Sequence, residues 1–219
     1  MDASMHGARL IDQVIEIVGR DGWDTTDAPD IDTAVPLPPD VLDALTLPDG
    51  RPLPPSLRRW LAFDASWLAA IGWYADPAAP RFDAGTLSAT VARMFEFGPA
   101  DSVWRDSFAE FETLLPGLCL PLVGGCDSRR FLYLGEPDSH GEYPVLVADM
   151  DDIPYVGVEY PGLDVYLAVE AGLALDDTDA WDDPAEHPEY GPRMQQHAIQ
   201  TGLGPEGLEI HELYADEEI

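Results

Sequence analysis

The chain has 219 residues, 46% of them apolar and 10% aromatic, enough to bury one sizeable core. It carries 42 Asp and Glu against 11 Arg and no Lys, a formal net charge of −31. That charge excludes sequence-independent binding to nucleic acid, which needs cations facing the phosphates, and an electrostatic hold on an anionic membrane. The apolar content excludes a wholly disordered acidic chain.

Residues 9–18 are predicted helical, because Leu10, Ile11, Val14, Ile15 and Val18 recur at helical spacing around Asp12 and Glu16. Gly19 and Gly22 stop that helix, and the Asp-, Pro- and Thr-rich stretch 24–40 reads as a linker. A second helix is predicted from Pro54 or Pro55, since proline is favoured in a first helical turn. If it runs past Asp64, then Leu57, Trp60, Leu61, Trp67, Leu68 and Ile71 share one buried face. Trp73 and Tyr74 stand beside the turn 76–80, where they are expected to be exposed and to belong to an interface. Two further helices are predicted over 86–96 and 104–115, from the spacing of Leu87, Val91, Met94 and Phe95 and of Trp104, Phe108, Phe111 and Leu115.

The texture changes after Pro116-Gly117. Short apolar or alternating runs at 118–123, 131–134, 143–148 and 155–158, divided by turn signals, predict strands of one antiparallel or mixed sheet. Leu163, Tyr166 and Leu167 resume a helical period that Gly172 can end. From Asp176 onward there are 13 acids and a single Arg, Arg193, and only 194–200 reads as helix. The organisation expected is an N-terminal helix and linker (1–39), a core domain (40–175) and an acidic C-terminal extension (176–219) ordered in part by Trp181, Ile199, Leu208 and Leu213.

Few residues offer chemistry. Asp149, Asp151 and Asp152 cluster between two strands, but their spacing lacks the further ligand and glycine of a calcium loop, so an acidic turn is expected. Asp176, Asp177, Asp179, Asp182 and Asp183 read as a solvated charge run. His187 and His197 are ten residues apart and give no compact metal spacing. Cys119 and Cys126 are expected to be reduced, and neither forms with His140 a recognisable nucleophile–base context. Ser56 and Ser128 lack a nucleophile-elbow pattern. The G-x-G-x-x-G spacing at Gly202–Gly207 follows a helix rather than a strand and reads as a loop. No catalytic, cofactor or metal residue is predicted. Residues 1–20 contain no signal-peptide core, and a cytoplasmic location is expected.

Two segments resemble a known family. Leu53-Pro54-Pro55-Ser56-Leu57-Arg58-Arg59-Trp60-Leu61 is similar to the early helix segment of the SUKH superfamily, which typically reads "LP..(Y/L)..FL". Leu120 to Gly172 resembles the remainder. It holds a strand with a glycine turn (Leu122 to Gly125), an aromatic strand (Phe131 to Leu134), Gly141-Glu142-Tyr143-Pro144-Val145 like the family's "G.yPV", and a closing helix from Leu163 to Leu173. The resemblance covers roughly residues 40–175, interrupted by about sixty residues that include the helices predicted at 86–96 and 104–115. It implies an α+β fold in which N-terminal helices pack on one twisted, mostly antiparallel sheet.

The resemblance also implies a function. Bacterial members are mostly immunity proteins, which bind and neutralise a toxin domain and carry no catalytic residues. An acidic inhibitor suits a toxin with a basic cleft, because long-range attraction speeds capture. The expected partner is therefore a cognate toxin domain, bound by a monomer. The candidate contacts are the sheet-end acids Asp149, Asp151 and Asp152, the run Asp176, Asp177, Asp179, Asp182 and Asp183, and the aromatic pair Trp73 and Tyr74. Two other classes stay open: a scaffold or regulatory module of the same fold, and a hydrolase using carboxylates and a divalent metal.

Overall fold

The computed structural model describes residues 5–21, 34–74, 76, 79–96, 118–122, 128–149, 155–173, 184–203 and 208–209. The first helix, α1, spans His6–Asp21 and buries Leu10, Ile11, Val14 and Val18, the stripe its periodicity predicts. A short helix absent from the sequence-based expectation, α2 (Pro39–Ala44), begins on a proline and buries Leu42.

The second predicted helix does not run past Asp64 but is followed by a separate one. α3 spans Pro55–Leu61 and α4 spans Ser66–Ala70. Asp64 itself makes the break. Its carboxylate accepts from the Ser66 N–H at 3.0 Å, the Ser66 hydroxyl at 2.6 Å, the Trp67 N–H at 3.3 Å and the Val35 N–H at 2.9 Å, satisfying donors that open a new helix and pinning the segment before α2. α3 lies against α1. Trp60 sits in that packing, 1% exposed, with Phe63 and Trp67 edge-on to its ring. α5 spans Ala84–Glu96, opened by the Asp83 carboxylate accepting from the Thr86 N–H at 2.9 Å.

The sheet has five antiparallel strands in sequential order: β1 (Cys119–Pro121), β2 (Ser128–Tyr133), β3 (Val145–Asp149), β4 (Tyr155–Tyr160) and β5 (Leu208–Glu209). Register and alternation put Leu120, Leu132 and Val145 on one face and Phe131, Leu146, Ala148, Val156 and Val158 on the other. Both faces are buried, which is why β3 reads as the unbroken apolar run Val-Leu-Val-Ala. The first face belongs to the larger core, with α1, α3, α4 and the closing helix α6 (Leu163–Glu170). The second face is covered by Val91 of α5 and by Met194 of α7 (Tyr190–Thr201). The fold is thus the α+β arrangement expected, with helices on both faces of the sheet.

α1 packs on α3 and α6, and α7 packs on β4, so both are built into the same core as 40–175. Within α7 the buried residues are Tyr190, Arg193, Met194, His197 and Ala198, whereas Ile199, expected to help order this region, is 74% exposed. The helix expected at 104–115, together with Trp181 and Leu213, lies outside the described residues.

Candidate functional site

A group of buried polar side chains, Asp138, Glu142, Asp164, Arg193 and His197, lies where the β2–β3 turn meets α7. The turn is built by Asp138. Its N–H donates to the Glu142 carbonyl at 2.8 Å, and its carboxylate accepts from the His140 and Glu142 N–H groups at 2.8 and 3.0 Å. Gly141 takes φ +81°, a conformation that a side chain would strain. α7 is started by His187, whose Nδ1 accepts from the N–H groups of Glu189 and Tyr190, and closed by Gly202 at φ +74°.

Arg193, one turn into α7, reaches back to the turn. Its Nε donates to Asp138 at 2.5 Å, and Nη1 and Nη2 donate to the two oxygens of Asp164 at 3.1 and 3.2 Å. The guanidinium is 3% exposed and both carboxylates are fully buried. His197, one turn on, donates from Nε2 to the Pro161 carbonyl at 3.2 Å and lies 3.8 Å from Asp138. Glu142 is buried too, but no cation bonds it. Its oxygens accept from the Ser56 N–H at 2.9 Å and the Ser56 hydroxyl at 2.5 Å, at the start of α3.

The charges follow from these contacts. Burial alone drives the Asp138 carboxyl upward, but Arg193, His197 and the Glu142 N–H outweigh it and hold the group well below the usual carboxylate range. Burial would favour a neutral Arg193; Asp164 and Asp138 reverse that and keep it charged. Burial and the neighbouring Asp164 push Glu142 well above the usual range, more than Ser56 and Arg193 pull it down. Gly7 of α1 and Gly162 make room for the cluster. A Cβ at Gly7 would stand 2.1 Å from Glu142 Oε1, and one at Gly162 would stand 2.3 Å from Asp164 Oδ1.

These groups are sealed by α1, α3, α6 and α7, so the cluster joins elements rather than offering a surface to a substrate. A cleft of about 270 Å³ opens nearby, lined by Arg51, Tyr133, Glu136, Gln200 and Thr201 among others. Its one cation is committed: Arg51 donates to Asp49 and to the carbonyls of Leu134 and Gly135. Among the described residues no group of three His, Cys, Asp or Glu is placed to hold a metal ion. No described helix is long and apolar enough to cross a membrane.

The residues singled out from sequence fare unequally. Trp73 and Tyr74, expected at an exposed interface, are 0% and 4% exposed. The Trp73 indole donates to the Pro121 carbonyl at 2.5 Å and the Tyr74 hydroxyl to the Ala65 carbonyl, so both are anchors of the core. Asp149 ends β3, half-buried, opposite Ser128 and Tyr155. Burial first, then Asp149 and Glu159, raise the Tyr155 hydroxyl above its usual value. Asp151, Asp152, Asp176, Asp177, Asp179, Asp182 and Asp183 lie outside the described residues. Cys119 is a buried free thiol, pushed up to about 12 by burial, which disfavours a thiolate nucleophile. The buried cluster itself was not anticipated. Its one sequence signal is Arg193, the single cation among 13 acids from Asp176 onward, just ahead of the helix predicted at 194–200.

No family model and no curated protein matches the chain. A solved structure, "Crystal structure of uncharacterized protein from Salmonella enterica subsp. enterica serovar typhimurium str. 14028s", is similar to it with a TM-score of 0.53 and 16% sequence identity. The similarity covers 94% of this chain and 98% of that one, and it is a likeness of fold.

Proposed function

We propose that this protein is a non-catalytic immunity protein of SUKH type, a cytoplasmic monomer that binds a basic toxin domain and blocks it. The observation that carries the reading is how the cations are used. Arg20, Arg51, Arg58, Arg59, Arg130 and Arg193 each pair with a carboxylate of the same chain, at 2.5 to 3.4 Å. Among the described acids only Asp64, Asp138, Glu142 and Asp164 are buried. The other described acids are at least partly exposed, so the negative charge of the described residues is turned mainly outward.

Such a surface attracts a basic partner from a distance, raising the association rate by about 10- to 1,000-fold. A nuclease or nucleotide-directed toxin, whose cleft must attract phosphates, has the complementary sign. The sealed cluster supports a binding role as well, since its reactive groups are occupied with one another.

The test is rescue. On this reading the neighbouring gene encodes a secreted protein with a C-terminal toxin domain, and that domain is expressed in a bacterial host with and without this protein. Restored growth together with a co-purifying complex is the expected result. Unrelieved toxicity with no complex would overturn the proposal, as would turnover of an ester, phosphoester or glycoside substrate that is lost on replacing one carboxylate pair.

A further inference from the structure

The buried cluster holds three carboxyl groups, Asp138, Glu142 and Asp164, with one arginine and one histidine. Asp138 and Asp164 share the arginine. Even with His197 protonated, three ionised carboxylates would leave an uncompensated buried negative charge, which a protein interior disfavours strongly. Glu142 is the carboxyl that no cation bonds. The groups facing it do not all act in one direction. The Ser56 hydroxyl and N–H from α3 donate to it and Arg193 from α7 attracts its charge. But Arg193 is bonded to other acceptors, Asp164 from α6 opposes a second negative charge, and Gly7 of α1 closes the site against water, so burial and Asp164 prevail. On its own turn Asp138 is ionised against Arg193, and His140 stacks on His6, whose Nδ1 lies 3.3 Å from Glu189 just ahead of α7.

We propose that the cluster closes with a proton retained on Glu142, so that the seating of α7 on the β2–β3 turn is a proton-dependent latch. Arg193 and Glu142 press on the same spot, Gly162, at 2.9 and 3.0 Å from the Cβ it lacks. Lifting α7 withdraws Arg193 and lets water reach Glu142, which then ionises as an ordinary glutamate does, near 4.3. A group held above its ordinary value in the closed state stabilises that state fully at pH below the ordinary value. The stabilisation declines as pH rises and is lost once pH passes the native value. Asp138 has the opposite sign: its contribution is present above the usual aspartate value near 3.9 and fades in acid, outside this window.

The experiment is native-state hydrogen exchange of the amides from Met194 to Ala198, between pH 5.5 and 8.5, in the wild type and in Glu142→Gln. The opening constant of α7, corrected for the chemical exchange rate, should rise with pH by up to tenfold per unit in the wild type. In Glu142→Gln, which keeps the shape of the protonated acid, that part of the rise should vanish. Contributions of His6, His140, His187 and His197 are common to both proteins and cancel in the comparison. Parallel pH dependence in the two would overturn the latch. If Glu142→Gln does not fold, the carboxyl carbon resonance of Glu142 in the wild type decides the matter. A protonated shift persisting at pH 6 supports the proposal, and titration at or below the ordinary glutamate value overturns it.

Discussion

Replacing Arg193 by Met removes the guanidinium that Asp138 and Asp164 both use, while keeping the apolar stem of the side chain. Two carboxylates then remain buried without their cation, and breaking a buried pair in this way costs about 3–5 kcal/mol. Urea denaturation of Arg193→Met should show a loss of that size; a midpoint unchanged from wild type would mean the cluster is hydrated and weakly coupled to folding. Trp60 belongs to the apolar half of the molecule. It is 1% exposed and contacts Phe63 and Trp67, so Trp60→Ala should destabilise by about 3–5 kcal/mol through the cavity it leaves. The two substitutions lie in different clusters of the fold. A double variant whose loss equals the two single losses combined would confirm that they act independently.

Among the elements, edge strand β1 shows how a side chain can finish a sheet. The ladder bonds from Leu122 N–H to Arg130 and from Leu134 N–H to Leu118 fix which groups of β1 face β2. Pro121 falls at an alternate position, so its carbonyl points outward, and as a proline it offers no N–H to an incoming strand. The Trp73 indole takes that carbonyl. Trp73→Phe keeps an aromatic ring but removes the donor together with the five-membered half of the indole, leaving a buried carbonyl unmatched at a cost of about 1–3 kcal/mol, to which the small void adds. Thermal unfolding should register that loss, and light scattering above the midpoint should show earlier aggregation as the edge opens. An unchanged transition would show that water replaces the indole.

The same elements show what could be read beforehand. α1, α5, the four longer strands and α6 follow from periodicity, because their apolar spacing is dictated by the faces they bury. The break at Asp64 does not show in that spacing, since Trp60 and Trp67, seven apart, keep the helical phase and only the carboxylate's four hydrogen bonds interrupt it. α7 began four residues earlier than its apolar pattern because a histidine, not one of the usual capping residues, satisfies its first N–H groups. Trp73 and Tyr74 were misplaced because a proline-rich neighbourhood signals a turn, not its depth. The cluster was invisible because it joins residues up to 86 positions apart, from Ser56 to Glu142, by polar contacts that leave no period in the chain.

For the whole molecule, charge is the property that sequence and structure state together. Six arginines are paired with carboxylates of the same chain, and among the described acids only Asp64, Asp138, Glu142 and Asp164 are withdrawn from the surface. Exposed charges act mainly on encounter, and salt screens them beyond about 8 Å at physiological strength. The most direct measurement is stopped-flow association of this protein with the toxin domain that the proposed function calls for, across a range of ionic strength, for the wild type and for Asp151→Lys/Asp152→Lys. The association rate should fall steeply with salt in the wild type, start lower and fall less steeply in the charge-reversed protein, while dissociation changes little. A rate indifferent to both salt and charge reversal would contradict an inhibitor steered by its acidity.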